Sequence, residues 1–163
     1  MKVALLTPLP MQEYLEGEQR SDIRHEYVAG QVYAMAGAKL RHNAIVRNLA
    51  VSLGQHNRCG NPLPGDSLYL KDPCLIIEVL SESTANIDRR EKLHAYQTLP
   101  SLREYILVDS DSRSIEVYRR RPEGWWHELL SEGDRLHFHC VDLDLSLLEV
   151  YAGVDLPQGE ATV

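Results

Sequence analysis

Long apolar runs are missing from this chain of 163 residues. None approaches the roughly 18 residues that a helical membrane span needs, which excludes a helical membrane protein. The short apolar run in MKVALLTPLP is also too small for a signal-peptide core, so a cytoplasmic protein is expected. Cysteine is scarce: Cys59, Cys74 and Cys140 are an odd number at wide spacing, with no CxxC. Neither a disulfide framework nor a zinc knuckle is indicated. The chain has no internal repeat, no low-complexity run, no Gly-rich phosphate loop and no GxSxG elbow. Basic residues almost vanish from its end, where residues 122–163 carry Arg135 against nine acids.

What is present is ordinary for a globular chain. Hydrophobic residues make up 44% and charged residues 25%, and the length suits one domain. The net charge of −7 argues against indiscriminate coating of nucleic acid. The charge is unevenly spread, however. Residues 39–65 hold Lys39, Arg41, Arg47 and Arg58 and no acid; Arg89, Arg90 and Lys92, then Arg119, Arg120 and Arg121, form two further clusters. This pattern fits a mixed-charge surface, and equally one basic face on an acidic body, as an enzyme acting on a polyanion has.

Local patterns predict an α+β chain. Thr7 and Pro8 can open a short helix that runs to about Glu16 and breaks at Gly17. Residues 25–28 and 31–35 read as two strands around Ala29-Gly30. Leu40, Ala44, Ile45, Leu49 and Leu53 recur at helical spacing, so residues 39–57 read as a helix with a basic polar face. Residues 74–80 are an apolar run beside Pro73, too short for an ordinary helix, and read as a central strand. Residues 86–97 read as a second helix ending before Pro100. Residues 104–108, 115–118, 125–130 and 135–139 read as four strands of an antiparallel meander. The pattern as a whole is a mixed sheet carrying two main helices. The segment 145–152 gives no clear signal.

Glu78 stands out because Leu75, Ile76 and Ile77 precede it and Val79 and Leu80 follow. A buried carboxylate must be paired, protonated or metal-bound. A salt bridge to Arg89, Arg90 or Lys92 satisfies that demand. So does a role as metal ligand at a sheet end, beside a lysine. Carboxylates hold Mg²⁺, which polarises a phosphate and acidifies bound water, and a lysine then orients that water or offsets developing charge.

Around Glu78 the sequence reads LIIEVLS at 75–81, Ser83-Thr84, DRREK at 88–92, Tyr96, LPSLREY at 99–105 and VYR at 117–119. Together with RHEYVAG at 24–30, YAMAG at 33–37, His42-Asn43 and residues 145–151, this strongly resembles the Uma2 family of the PD-(D/E)XK nuclease superfamily. The resemblance spans residues 10–153 and implies one restriction-endonuclease-like domain over residues 1–153, with 154–163 as a tail. It implies a DNA endonuclease using Mg²⁺ or Mn²⁺. The superfamily motif is an Asp after Pro on one strand, then Glu-x-Lys on the next. In Uma2-like chains a lysine from the following helix replaces the lysine of that motif. By this resemblance Glu78 is the metal carboxylate, Lys92 the displaced lysine and Glu26 an accessory carboxylate. His42 matches a family position without an assigned role.

The Pro-Asp step is missing. Only residues 59–74 join the long helix to the Glu78 strand, and they contain no Pro-Asp leading into an apolar strand. An internal deletion is the expectation, with Asp66 as a recruited metal ligand and Asp72 as a weaker candidate. The deletion would leave the Glu78 strand at a sheet edge, open to pairing with a second copy as a homodimer. It also raises a rival reading, a catalytically impaired member of the fold that binds nucleic acid or protein. Two minor candidates remain. His137, His139 and Cys140 could approach zinc only if a further ligand converged. Trp125-Trp126 beside Arg119–Arg121 could stack on bases, although one buried and one half-exposed ring is the commoner outcome.

Overall fold

The structure, a computed structural model, describes residues 8–28, 30–35, 37–55, 72–81 and 88–157. It separates into two compact units, Met1–Gly37 and Ala38–Val163.

In the first unit, helix α1 (Met11–Glu18) precedes the antiparallel hairpin β1 (His25–Val28) and β2 (Gln31–Ala34). The helix starts later than the Thr7-Pro8 signal suggests, because Pro10 takes the N-cap position in an extended conformation. It also runs through Gly17. A helical glycine costs only about 1 kcal/mol against alanine. The Glu18 carboxylate beyond it accepts the His25 backbone N–H at 2.9 Å and approaches His25 Nδ1 at 3.0 Å. Gly30 has φ 88°, and a Cβ there would fall 2.4 Å from the Cβ of Pro8, so the hairpin needs glycine at this point.

The second unit opens with α2 (Leu40–Gly54), which buries Ile45 and Leu49. Leu40, on the predicted stripe, is 87% exposed because it sits at the very start of the helix. Strand β3 (Leu75–Leu80) follows, then a π-helical turn (Asp88–Lys92) leading directly into α3 (Leu93–Gln97). The predicted second helix is therefore present in its described part, but its first described turn is wider than α. Strands β4 (Glu104–Asp109), β5 (Ile115–Arg121) and β6 (Gly124–Leu130) complete a four-stranded sheet in the order β3-β4-β5-β6. The β3–β4 pair is parallel and the other two pairs are antiparallel, so the sheet is mixed. Among the described residues β3 ends this order, with β4 as its partner.

The meander stops one strand earlier than expected. Strand β7 (Arg135–Phe138) pairs instead with β8 (Leu143–Ser146), which sequence reading did not resolve. The reason lies in matched alternation: Leu136 and Phe138 are buried on one strand, Leu143 and Leu145 on the other. Asp142 turns the chain between them with φ 52°, a conformation Asp tolerates. The last helix, α4 (Leu147–Val150), is opened by a Ser146/Glu149 capping box.

The sheet has two unlike faces. Leu75, Ile77, Val79, Ile106, Val108, Ile115 and Val117 pack with α2, the β7–β8 hairpin and α4 in the larger core. On the other face, Ile76, Leu80, Tyr105 and Leu107 pack under Leu93, Tyr96 and Leu99. The α+β class and the mixed sheet flanked by α2 and α3 agree with the sequence reading.

Candidate functional site

Strand alternation sends Glu78 to the α3 side of the sheet. Its cross-strand partners are Leu107 on β4 and, one strand further, Glu116 on β5. One row on one face therefore carries two carboxylates about two strand spacings, ~10 Å, apart. The π turn and α3 lie over this row. Arg89, Lys92 and Tyr96 all reach this row, Arg89 at Glu116 and Lys92 and Tyr96 at Glu78.

The consequence is a pair of polar centres. At the first, Lys92 Nζ and Tyr96 Oη each lie 3.3 Å from Oε1 of Glu78, and both donate to it. Lys92 is only 4% exposed, whereas Glu78 is half-buried. An ammonium this enclosed requires a charged partner, and Glu78 supplies it. Tyr96 is braced edge-on by the buried Tyr105 ring, 5.2 Å between centroids. At the second centre, Arg89 Nε donates to Oε1 of Glu116 at 2.7 Å and its Nη2 lies 3.6 Å from the Asp109 carboxylate. Tyr118 Oη donates to Oε2 of Glu116 at 2.9 Å, and His127 Nε2 approaches the same oxygen at 3.5 Å.

The second centre perturbs its own groups. Burial would raise the Glu116 carboxyl, but hydrogen bonds from Arg89 and Tyr118 outweigh it and hold the group below the usual carboxylate range. The Glu116 hydrogen bond raises Arg89 further. Burial, followed by the bond to Glu116, pushes the Tyr118 phenol up to about 12.

The structure thus brings Glu78 and Lys92 together, in direct contact. Glu26 lies on β1 opposite Tyr33 and lines a shallow pocket of about 330 Å³ with Met11, Tyr14 and Tyr27, all within the first unit. Asp66 and most of the joining segment 59–74 lie outside the described residues. Asp72 is exposed. His42 on α2 meets the Val79 carbonyl through Nε2 at 3.0 Å, while its Nδ1 is buried without a hydrogen-bond partner among the described residues. His137 and His139 contact each other edge to face at 4.6 Å, but His137 pairs with Asp144 at 3.2 Å and the Cys140 thiol donates to the Cys74 carbonyl at 3.1 Å. Among the described residues no three His, Cys, Asp or Glu side chains are grouped to hold a metal. Trp125 packs on the smaller core and Trp126 is 54% exposed, each with an arginine 4.7 Å from its ring centre.

Sequence reasoning missed the second centre. It weighed Arg89 as a partner for Glu78 and as part of a basic cluster, not as a partner for Glu116. The signal available was the i, i+2 pair Glu116 and Tyr118, alternating with the apolar Ile115 and Val117 and so facing the same side as Glu78.

The sequence profile of Uma2, described as "putative restriction endonuclease", matches residues 11–69 and 59–148. The chain belongs to the Uma2 family. Two proteins of Synechocystis sp. (strain ATCC 27184 / PCC 6803 / Kazusa), both described as uncharacterized, are similar to it. One, slr1290, is 30% identical over 176 positions, covering 90% of this chain and 93% of its own length. The other, sll1609, is 27% identical, covering 88% and 99%. A crystal structure from Anabaena variabilis ATCC 29413, described as a putative nuclease belonging to DUF820, shares the fold with a TM-score of 0.66. It is 18% identical and covers 88% of this Uma2 chain and 98% of its own.

Proposed function

We propose that this Uma2 chain is a DNA endonuclease that hydrolyses phosphodiester bonds at the Glu78–Lys92 centre. The observation that carries this reading is a buried ammonium held 3.3 Å from a carboxylate on the sheet. An ammonium so placed can donate to a phosphate oxygen or to an attacking water, and it offsets the negative charge that grows there. Glu78 keeps that ammonium aimed, and Tyr96 fixes the carboxylate from a second direction. The family's activity implies Mg²⁺ or Mn²⁺, which would polarise the phosphate and lower the pKa of a bound water. The described residues do not by themselves fit such an ion. Mg²⁺ takes one or two carboxylates and completes its shell with water. Glu78 is the sole acidic side chain at this centre among the described residues, and its Oε1 already takes two donors. The sequence reading gives the second acid to Asp66, which lies outside the described residues.

The rival reading, a catalytically impaired member of the fold that binds nucleic acid or protein, has its own support. The alignment with slr1290 runs over 176 positions, more than the 163 residues of this chain, so the relative carries residues this chain lacks. The family match also breaks into two segments that overlap at 59–69, within the stretch where the Pro-Asp strand is expected. A plasmid-nicking assay with Mg²⁺ and Mn²⁺ separates the readings. The informative variant is Glu78→Gln, which keeps an oxygen acceptor for Lys92 and Tyr96 but removes the charge. Endonuclease action predicts nicking by the wild type and a drop on the order of 100-fold or more in Glu78→Gln. Absence of nicking with either ion, or nicking that Glu78→Gln leaves intact, overturns it.

A further inference from the structure

We infer that Arg89 is a positioning residue: it clamps the π-helical turn to the sheet and so delivers the Lys92 ammonium to Glu78. This deepens the proposed function and rests on Glu78–Lys92 being its centre.

The argument starts from the turn itself. Residues Asp88–Lys92 are wound wider than an α-helix, and Lys92 is the last of them. Such π turns are rare and appear mostly as single turns joined to α-helix, frequently at functional sites, and this one is tied to the sheet from outside. Here the outside contact is Arg89. Its guanidinium reaches carboxylates on two different strands, Glu116 of β5 at 2.7 Å and Asp109 of β4 at 3.6 Å. Glu116 is itself immobilised by the Tyr118 hydroxyl at 2.9 Å, and Tyr118 stacks on His127 of β6 at 4.5 Å. The planar fork of arginine fixes direction as well as distance. Lys92 follows Arg89 by three residues, at the end of the same π turn, and ends in its own contact with Glu78 at 3.3 Å.

Two anchors on one short segment thus land on one cross-strand row, Arg89 at Glu116 and Lys92 at Glu78, with Leu107 between. With both ends pinned, the segment cannot rotate or slide without breaking one pair. Lys92 has four rotatable side-chain bonds and would be dispersed by such a motion. The clamp removes that freedom before any substrate arrives, which is how a supporting shell tunes a reacting group.

The test reads Lys92 directly. Wild type, Arg89→Ala, Arg89→Lys and Ser146→Ala are labelled with acetic anhydride under native conditions, and peptide mass spectrometry gives the rate at Lys92 relative to the exposed Lys39. Ser146→Ala removes the α4 cap and controls for general destabilisation. The ratio should rise about tenfold or more in Arg89→Ala, as expected for a locally released segment. It should rise less in Arg89→Lys, which keeps the charge without the fork, and stay at the wild-type value in Ser146→Ala. A ratio in Arg89→Ala within about twofold of wild type, or an equal rise in Ser146→Ala, overturns the clamp. Labelling needs no catalysis, so a wild type that fails to nick DNA sinks the proposed function and leaves this result standing. Where nicking occurs, Arg89→Ala should lower kcat with KM nearly unchanged. A raised KM at unchanged kcat would make Arg89 a substrate contact and overturn the positioning role.

Discussion

The two faces of the four-stranded sheet solve opposite problems. Beneath α2, its central positions are Ile77, Val79, Ile106, Val108, Ile115 and Val117, packed into the larger core. Beneath the π turn and α3, the corresponding rows carry Glu78, Glu116 and Tyr118 among Ile76, Leu80, Tyr105 and Leu107. The first face is closed mainly by apolar area, with one buried ion pair, Glu104–Arg119, at the sheet's end. The second buries charge, and each charge there has a partner delivered by the helical segment. Apolar packing is non-directional and tolerates small shifts. Ion pairs are directional and fail when one partner is lost. Stability should therefore reside mainly on the first face, and chemistry on the second.

The largest expected effect breaks the apolar face. Ile106 is fully buried between the strands, and Ile106→Ala should lower unfolding free energy by about 2–5 kcal/mol in a urea titration. A loss below 1 kcal/mol would mean the core relaxes freely and the contrast is misplaced. The next effect sharpens the polar face. Glu78→Ala leaves Lys92 enclosed without its carboxylate and should cost about 2–3 kcal/mol, somewhat less than a fully buried pair because Glu78 retains some exposure. Replacing both, Glu78→Leu with Lys92→Met, should recover most of that loss while abolishing any nicking. If the double variant is no better than the single, the pair is stabilising in its own right, and the separation of stability from chemistry fails.

The two faces also differed in how far they could be read from sequence. The apolar face was legible because the continuous apolar run in β4, the Ile115/Val117 alternation in β5 and the helical spacing in α2 each mark residues to bury. Leu40 shows the limit of that reading: periodicity marks a stripe, but not where the helix begins to be covered. On the polar face, Glu78 was conspicuous as one acid in an aliphatic run, and Lys92 came from the resemblance to Uma2. Tyr96 and Glu116 were not legible as partners, because their meaning depends on a strand row and a helix side meeting across 18 and 27 residues of chain. Strand β8 escaped for a related reason. Its four residues, LDLS, alternate too briefly to be told from a loop until β7 is beside them. The role of Asp66 rests on residues outside those described.

The smallest expected effect is a pH dependence that compares a tyrosine from each face. Burial and the Glu116 bond raise Tyr118 to about 12, and burial raises Tyr151, which packs in the larger core. A group whose folded pKa lies above its unfolded value contributes stability that is complete below the unfolded value. That contribution disappears as pH climbs through the folded one. For Tyr118 the loss therefore begins near pH 10 and is complete past about 12. Tyr118→Phe removes the hydroxyl that donates to Glu116, so it should cost about 1 kcal/mol at neutral pH. It should also flatten the alkaline fall measured by urea titration between pH 10 and 12. Tyr151→Phe should flatten the same limb and cost more at neutral pH, because its hydroxyl joins Asp109 and Ser114 across the sheet end. Should Tyr118→Phe leave the alkaline limb as steep as wild type, the phenol is not held neutral by its surroundings. The polar face would then be looser and wetter than its hydrogen bonds describe.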